Sequence, residues 1–312
     1  MCIRDRRRTP PVVEMNAVPL PPDILERYRD VTIAIDVMRV NTLPFLVSTS
    51  VHLKFGTAEH LTDQSKGVLM QAIKHIKAIY TSRGFVVRYV LADGQFVSIE
   101  PDLQAIGLTP NFTSNDEHVG VIERYIRTVK ERVRSDIRNT PFEYFPSLMV
   151  IKCVYRNIYW LNAFPPKDGL SAVVSPRCLL TGLRLDYHRH CSLAFGEYVH
   201  THEEHDNTMT GRTVGAIALG PTGNEQGSHF FMSLGTGRLL NRARWNTLPM
   251  PAEVIKQVNR MGRKTRGATP GSPSLTVMKQ KTLIAATTPL IPLNPTTTMT
   301  TLHGRRSGVA QE

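Results

Sequence analysis

Three acidic residues in the first half of the chain have the types and positions expected of a metal site. Asp36 lies within an apolar run that alternates with the period of a β-strand. Asp93 directly follows another apolar run, and Glu123 falls in the first turns of a long predicted helix. Three gathered carboxylates repel one another, and buried charge is costly unless it is paired or bound to a metal ion. Their oxygen atoms favour Mg²⁺ or Mn²⁺, ions that assist in-line displacement at phosphate.

Each acid also has a purely structural interpretation. Asp36 could cap the end of a strand, Asp93 could begin a turn with Gly94, and Glu123 could be a solvated helix residue. The order of the predicted elements favours the joint interpretation, because strand ends and a nearby helix converge on one cleft of an α/β domain. The sequence therefore predicts one site for catalysis and metal binding that contains all three carboxylates.

The helix that carries Glu123 also carries a row of basic residues. Apolar residues at helical spacing form its predicted core stripe, namely Ile122, Ile126, Val129, Val133 and Ile137. On the adjacent face, basic residues follow Glu123 at steps of three or four, namely Arg127, Lys130, Arg134 and Arg138. Together with Arg124, the first three of these are predicted to bind DNA phosphates. A solvated face with a Glu–Arg pair at i,i+4 is the alternative.

The periodicity of the chain predicts a mixed sheet flanked by helices, in the order βββ-α-β-α-β-α. The predicted strands of this α/β region are 31–37, 45–50, 51–57, 85–91 and 108–112, and its last two helices are 119–139 and 145–162. A Pro- and Gly-containing linker begins at residue 165. Four short β-like runs follow, at 194–200, 213–219, 229–234 and 238–245. Short strands between glycine-rich turns predict a small β-barrel or sandwich.

The net charge of +12 comes from 38 basic and 26 acidic residues, but its distribution is uneven. Residues 262–312 hold 7 basic residues and 1 acidic residue, a net +6, so half of the excess lies in this Thr/Pro-rich segment. We predict a disordered basic tail there. The overall charge is thus weak evidence that the folded part binds nucleic acid. Local rows of basic residues are the stronger evidence for such binding.

Cysteine usage and hydropathy indicate an intracellular protein. The four cysteines are irregularly spaced, as expected of free thiols in a reducing compartment. No uncharged apolar run reaches the length of about 18 residues expected of a membrane span, and the basic N-terminus lacks the apolar region of a secretory signal. Two histidine groups, around His188 to Cys191 and His200 to His205, lack zinc-site spacing, and we interpret them as loop histidines without a metal.

A series of motifs in order then resembles the integrase region of Copia-type LTR-retrotransposon polyproteins, particularly those of algal or diatom elements. The motifs are IDVMRVN at 35–41, ADG at 92–94, NDEHVGVIER at 115–124, WLNAFPPK at 160–167, SPR at 175–177, TGLRLDY at 181–187, LGPTGN at 219–224 and FMSLGTGR at 231–238. They span roughly residues 30–260, and the N-terminal string resembles an artefact at the start of a fragmentary reading frame.

The resemblance implies an RNase H-like catalytic core followed by a small barrel-like domain that contacts DNA. It implies a DDE triad of Asp36, Asp93 and Glu123 that binds Mg²⁺ or Mn²⁺, with 3′-end processing of element DNA and strand transfer into target DNA. The 29 residues between Asp93 and Glu123, residues 94 to 122, are fewer than the family usually has. Glu117 is the rival third acid, and the Gly-Val-Ile-Glu-Arg context favours Glu123. A homo-oligomer in the nucleus or in a cytoplasmic particle is also implied.

These inferences define four predicted regions. They are an N-terminal extension at 1–30, an RNase H-like core at 31–164, a linker with a small β-rich domain at 165–261, and a disordered tail at 262–312. Two alternative functions stay open. One is a catalytically decayed integrase fragment that only binds nucleic acid, and the other is an RNase H-like nuclease that acts on RNA–DNA hybrids.

Overall fold

A computed structural model describes residues 17–113, 119–203 and 211–267, and its first half contains a five-stranded mixed sheet. The strands are β1 (Asp30–Val40), β2 (Leu43–Ser50), β3 (Gly56–His60), β4 (Val86–Ala92) and β5 (Thr109–Phe112). Their spatial order is β3-β2-β1-β4-β5. The first three form antiparallel pairs, and β4 and β5 run parallel to β1. This arrangement confirms the predicted RNase H-like mixed sheet.

Helices cover both faces of this sheet. They are α1 (Pro22–Tyr28), α2 (Lys66–Thr81), α3 (Glu100–Ala105), α4 (Gly120–Arg138) and α5 (Ser147–Ala163). Helix α2 packs its apolar stripe into the core on one face, whereas α4 and α5 pack on the other. Within the described ranges, no helix is long and apolar enough to cross a membrane.

The central strand β1 separates these two cores by simple alternation. Ile33 and Ile35 belong to the cluster on the α2 side, and Ala34 and Met38 belong to the cluster on the α4 side. Successive side chains of a strand point to opposite faces, so even-numbered residues of β1 share one face. Asp36 therefore lies on the face that α4 covers.

One strand of this sheet differs from the prediction. We expected a strand at 51–57, but residues 51–53 form a turn and β3 begins at Gly56. The Phe55 amide donates a hydrogen bond to Ser50 Oγ at 3.0 Å, and Lys54 has a left-handed backbone with φ of +55°. These local hydrogen bonds replace strand pairing in this segment. The pattern of apolar residues does not predict them.

The second half contains a five-stranded antiparallel sheet that is strongly curled. Its strands are β6 (Tyr198–His202), β7 (Thr213–Pro221), β8 (His229–Ser233), β9 (Leu239–Arg242) and β10 (Trp245–Thr247), in the order β10-β6-β7-β8-β9. Only two residues separate the edge strands β9 and β10, so their ends are at most about 11 Å apart. A flat sheet would place its edges roughly 19 Å apart, four strand spacings. The sheet must therefore curl, which confirms the predicted barrel-like form.

Side-chain and backbone contacts join the end of β6 to the end of β9 and to the residues that follow it. Glu203, which follows β6, pairs with Arg242 at the end of β9. The His202 amide donates to the Arg244 carbonyl oxygen at 3.2 Å. The predicted single run 238–245 is thus two strands, β9 and β10, because the chain crosses between the edges at residues 243–244.

Helix α5 connects the two sheets into one continuous core. One apolar cluster contains Met149 and Val150 from α5, Ile217 from β7, Met232 from β8, and residues of β1. The predicted linker also contains two short helices, α6 (Pro176–Thr181) and α7 (Tyr187–His190). The curled sheet therefore packs on the helical layer of the first sheet.

The described chain ends in a helix that the sequence analysis did not predict. This helix shows that the predicted start of the disordered tail, at residue 262, is wrong. Helix α8 (Ala252–Gly267) includes residues 262–267, which we had assigned to the disordered tail. Val254 and Val258 are buried at i,i+4 spacing, and Gly262 continues this stripe. Asn259 accepts hydrogen bonds from the amides of residues 143 and 144, both at 3.0 Å. Helix α8 therefore docks on the segment that precedes α5, and residues 268–312 lie outside the described residues.

Candidate functional site

The two aspartates lie side by side at the centre of the first sheet. In the parallel pairing of β1 with β4, Ile35 stands opposite Ala92, so Asp36 and Asp93 are the next residues on neighbouring strands. Asp93 directly follows β4, has extended backbone, and accepts a hydrogen bond from the Gly94 amide at 2.9 Å. Paired positions on adjacent strands share a face, which places both carboxylates on the α4 side.

Helix α4 brings the third carboxylate to this edge. Glu123 lies in the first turn of α4, next to Ile122, which is buried in the core with Ala34 and Met38 of β1. The side chain of Glu123 is exposed. Glu123 is thus near enough for its charge to act on Asp36, as that of Asp93 does, whereas the rival acid Glu117 lies outside the described residues.

The electrostatics of Asp36 show that the three charges interact. Burial raises the pKa of Asp36 above its ordinary value of 3.8, and the neighbouring charges of Asp93 and Glu123 raise it further. Hydrogen bonds from the Val37 amide, at 2.6 Å, and the Gln95 side chain, at 2.9 Å, oppose this shift. Asp36 is therefore held in a site that disfavours its own negative charge.

Gln95 is a member of this site that the sequence analysis missed. Its Nε2 donates to Asp36 Oδ1 at 2.9 Å, although 59 residues separate the two in the chain. The only sequence signal was its position two residues after Asp93. A cation that bound at Asp36 Oδ1 would have to displace or share this hydrogen bond.

The donor set suits a hard divalent cation by its chemistry. All three side chains offer carboxylate oxygens, which are the ligands that Mg²⁺ and Mn²⁺ prefer. A cation would also relieve the repulsion that raises the pKa of Asp36. In the described part of the chain, however, no group of three His, Cys, Asp or Glu side chains is arranged to bind a metal ion. The carboxylates therefore share a site without forming a closed ligand cage.

The raised pKa predicts that Asp36 destabilises the metal-free fold at neutral pH. Since the folded state holds this proton more tightly than the unfolded state, the penalty is absent below about pH 3.8 and grows as pH rises through the folded-state pKa. Asp36→Asn is expected to raise the melting temperature at pH 7 in EDTA by about 1 to 3 °C. The difference from wild type should shrink toward pH 4.

Asp63→Asn is the matched control for this measurement. The pKa of Asp63 is lowered by its hydrogen bonds from Ser65, so its charge is favoured in the fold and the substitution should not stabilise the protein. Equal melting temperatures for wild type and Asp36→Asn across pH 4 to 8 would contradict the expected burial penalty at Asp36.

The predicted DNA-binding residues lie along one side of α4. The side chains of Arg124, Arg127 and Arg134 are exposed, and that of Lys130 is half-buried. The adjacent apolar stripe of α4 is buried against the first sheet. A row of cations therefore starts beside Glu123 and continues along an accessible surface.

His190 and His200 lie in regular elements, and each forms hydrogen bonds within the protein. His190 ends α7 with Nδ1 2.8 Å from the Asp186 carbonyl oxygen and Nε2 2.7 Å from the Asn224 carbonyl oxygen. His200 lies in β6, with Nε2 2.7 Å from the Tyr198 hydroxyl. We had interpreted both as loop residues, so that part of the prediction is wrong. His205 lies outside the described residues.

Comparisons with known proteins find similarity among solved structures alone. No protein-family model and no curated protein sequence matches the chain. Among solved structures, the chain is similar to the catalytic core domain of BIV integrase, with 17% sequence identity and a TM-score of 0.37. The similarity covers 48% of this chain and 92% of that one. The strand order and the three carboxylates are therefore the features of the chain itself from which its function has to be inferred.

Proposed function

We propose that this chain is a metal-dependent polynucleotidyl transferase of the DDE class that acts as a retrotransposon integrase. The observation that supports the proposal is the position of Asp36, which is next to Asp93 on the neighbouring strand and within electrostatic range of Glu123. Asp36 and Asp93 are adjacent on parallel strands, and both charged neighbours raise the pKa of Asp36 in addition to its burial. Clustered carboxylates that disfavour their own ionisation are typical of functional sites.

The three acids would hold the cation, and each has a distinct structural support. Asp36 is fixed by β1 and oriented by Gln95, and Asp93 is fixed by its bond from the Gly94 amide. Glu123 is placed by the first turn of α4. Bound Mg²⁺ or Mn²⁺ would supply Lewis-acid stabilisation of charge at a phosphodiester. The basic side of α4 would hold the DNA backbone by contacts to phosphate.

Cleavage of defined DNA ends tests this proposal. The full chain is incubated with duplexes that carry the ends of its element, in Mg²⁺, Mn²⁺ or EDTA, and nicking and strand transfer are measured. The proposal predicts both products only with a divalent cation. Salt-sensitive DNA binding without any cleavage would instead indicate the decayed fragment, and cleavage confined to RNA–DNA hybrids would indicate the nuclease.

The basic side of α4 predicts a specific change in DNA binding. Replacing Arg127 and Arg134 by Ala should weaken binding to all duplex sequences alike, because interactions with phosphate carry no sequence information. The slope of log K against log salt should decrease by about 0.9 for each phosphate that the variant no longer neutralises. Fluorescence anisotropy at several salt concentrations measures both quantities.

Lys74→Ala provides the control for this binding experiment. Lys74 is exposed on α2, which covers the other face of the sheet, so its removal should leave the salt slope unchanged. An unchanged slope in the double Arg variant would show that α4 is not part of the DNA-binding surface.

The homo-oligomer and the location in the nucleus or in a cytoplasmic particle stay predictions. Light scattering of the DNA complex measures its mass and so tests the predicted oligomer.

A further inference from the structure

A second cluster of polar side chains lies away from the three acids, between α5, α6 and the loop that leads from β7 to β8. In the described residues, six buried side-chain N or O atoms have no hydrogen-bond partner. Four of them belong to this cluster, which we name the Arg177 cluster: Arg156 Nε, Tyr159 Oη, Arg177 Nε and His229 Nε2. Buried polar groups are nearly always hydrogen-bonded, so this concentration requires an explanation.

Arg177 is the centre of the cluster and has the least compensated charge. Its side chain is only 3% exposed, and its guanidinium lies 4.7 Å from the centre of the Tyr159 ring. Its Nη2 donates to the Gly223 carbonyl oxygen. Across the described ranges it forms no ion pair with a carboxylate. A buried charge without a counter-ion is strongly destabilising, so the fold should contain an anion near Arg177.

The neighbours of Arg177 add further donors without neutralising its charge. Arg156 is compensated by Asp136, whose Oδ2 lies 2.7 Å from Arg156 Nη1, which leaves Arg156 Nε free to donate. Burial raises the pKa of Tyr159 to about 12, so its hydroxyl keeps its proton at neutral pH. The cluster therefore has three unused donors and one net positive charge.

His229 is the fourth member of the cluster, and it contributes no charge. Its Nδ1 lies 3.0 Å from the Gly227 carbonyl oxygen, and the backbone of His190 also hydrogen-bonds with the ring. Burial lowers the pKa of His229 to about 4, so the ring is neutral at pH 7. The donors available to a ligand are therefore those of Arg156, Tyr159 and Arg177.

Two glycines let the loop backbone close over these arginines. Gly223 has φ of +83°, and a Cβ there would lie 2.8 Å from Arg177 Nη2 and 2.9 Å from the Tyr159 ring. Gly220 has φ of +125°, and a Cβ there would lie 3.0 Å from Arg156 Cδ. Glycine tolerates both the conformation and the close approach. The loop backbone therefore packs directly against Arg156, Tyr159 and Arg177.

We propose that the Arg177 cluster binds one small oxyanion, with dihydrogen phosphate as the matching species. Its single negative charge balances Arg177, and its oxygens accept from the three donors. Guanidinium groups are well suited to phosphate oxygens. The depth of the cluster restricts the ligand to a free ion, because the phosphates of a polymer cannot reach side chains this buried. The site is independent of the three carboxylates and of the function proposed for them.

Thermal unfolding of the full chain tests the phosphate site. Melting temperatures are measured in phosphate, sulfate and chloride at equal ionic strength and pH. The proposal predicts that phosphate raises the melting temperature by about 2 to 5 °C over chloride, with a rise that is logarithmic in phosphate concentration. Sulfate, whose two negative charges exceed the one net positive charge of the cluster, should give a smaller rise.

Paired tyrosine variants assign the effect to this cluster. Tyr159→Phe deletes one donor and should lose most of the phosphate response. Tyr125→Phe deletes the other buried tyrosine hydroxyl that lacks a partner in the described residues, outside the cluster, and should keep the response. Arg177→Met should abolish the response if it folds, and Tyr159→Phe decides the result if it does not. Equal responses in the two tyrosine variants, or no response in the wild type, would overturn the proposal. The partner of the buried donors would then be water or another side chain of the protein.

Discussion

Replacing Asp93 by Asn is expected to reduce metal-dependent DNA cleavage and strand transfer by at least about a thousandfold, the scale of losing one key electrostatic group in an active site. Asn keeps the size of the side chain and an oxygen that can accept the bond from the Gly94 amide. The fold should therefore survive while the charge that would hold the cation is removed. Cleavage of element-end duplexes in Mn²⁺, with circular dichroism to verify folding, measures the effect.

The control for this variant is the same chemical change at an acid outside the site. Asp63 also accepts a hydrogen bond from a backbone amide, that of Ser65 at 2.8 Å, but it lies in the loop before α2. Asp63→Asn should retain wild-type cleavage. Cleavage that survives Asp93→Asn would remove the DDE assignment, and the same reduction in both variants would indicate a general effect of the substitution.

Gly262→Ala is expected to destabilise the protein by about 3 kcal/mol, a large effect for one added methyl group. A Cβ at this position of α8 would lie 2.5 Å from both the carbonyl carbon and the carbonyl oxygen of Tyr144, and 2.8 Å from the Phe145 amide nitrogen. Backbone atoms cannot move aside as a flexible side chain can. The helix would have to leave the segment that it covers, and urea unfolding measures the resulting decrease in the free energy of unfolding.

Gly67→Ala is the matched control and should change stability in the opposite direction. Gly67 lies in the first turn of α2, and a Cβ there would have no atom within 4 Å. Replacing glycine by alanine in an open helical position stabilises by about 0.4 to 1 kcal/mol, because the unfolded chain loses freedom. A Gly262→Ala protein as stable as wild type would show that α8 does not pack closely on Tyr144.

The central sheet and its acids follow from patterns that are local in the chain. Apolar alternation marked β1, continuous apolar runs marked the buried strands, and helical spacing marked α2, α4 and α5. The same patterns placed Asp36 in a strand, Asp93 at a strand end and Glu123 at the start of a helix. Local periodicity is informative here because each of these elements buries one well-defined face. Helix α8 has such a stripe too, with Val254 and Val258 buried, but the sequence analysis assigned no element to it.

Other features were decided by interactions between residues far apart in the chain. The bond from Gln95 to Asp36 depends on the register of β1 with β4, and the curl of the second sheet depends on how β9 and β10 meet its other strands. The Arg177 cluster forms only where α5, α6 and the loop after β7 come together. The sequence by itself determined which residues carry charge and which faces are apolar. Tertiary structure alone decided which buried polar atoms find partners, because that depends on packing between distant segments.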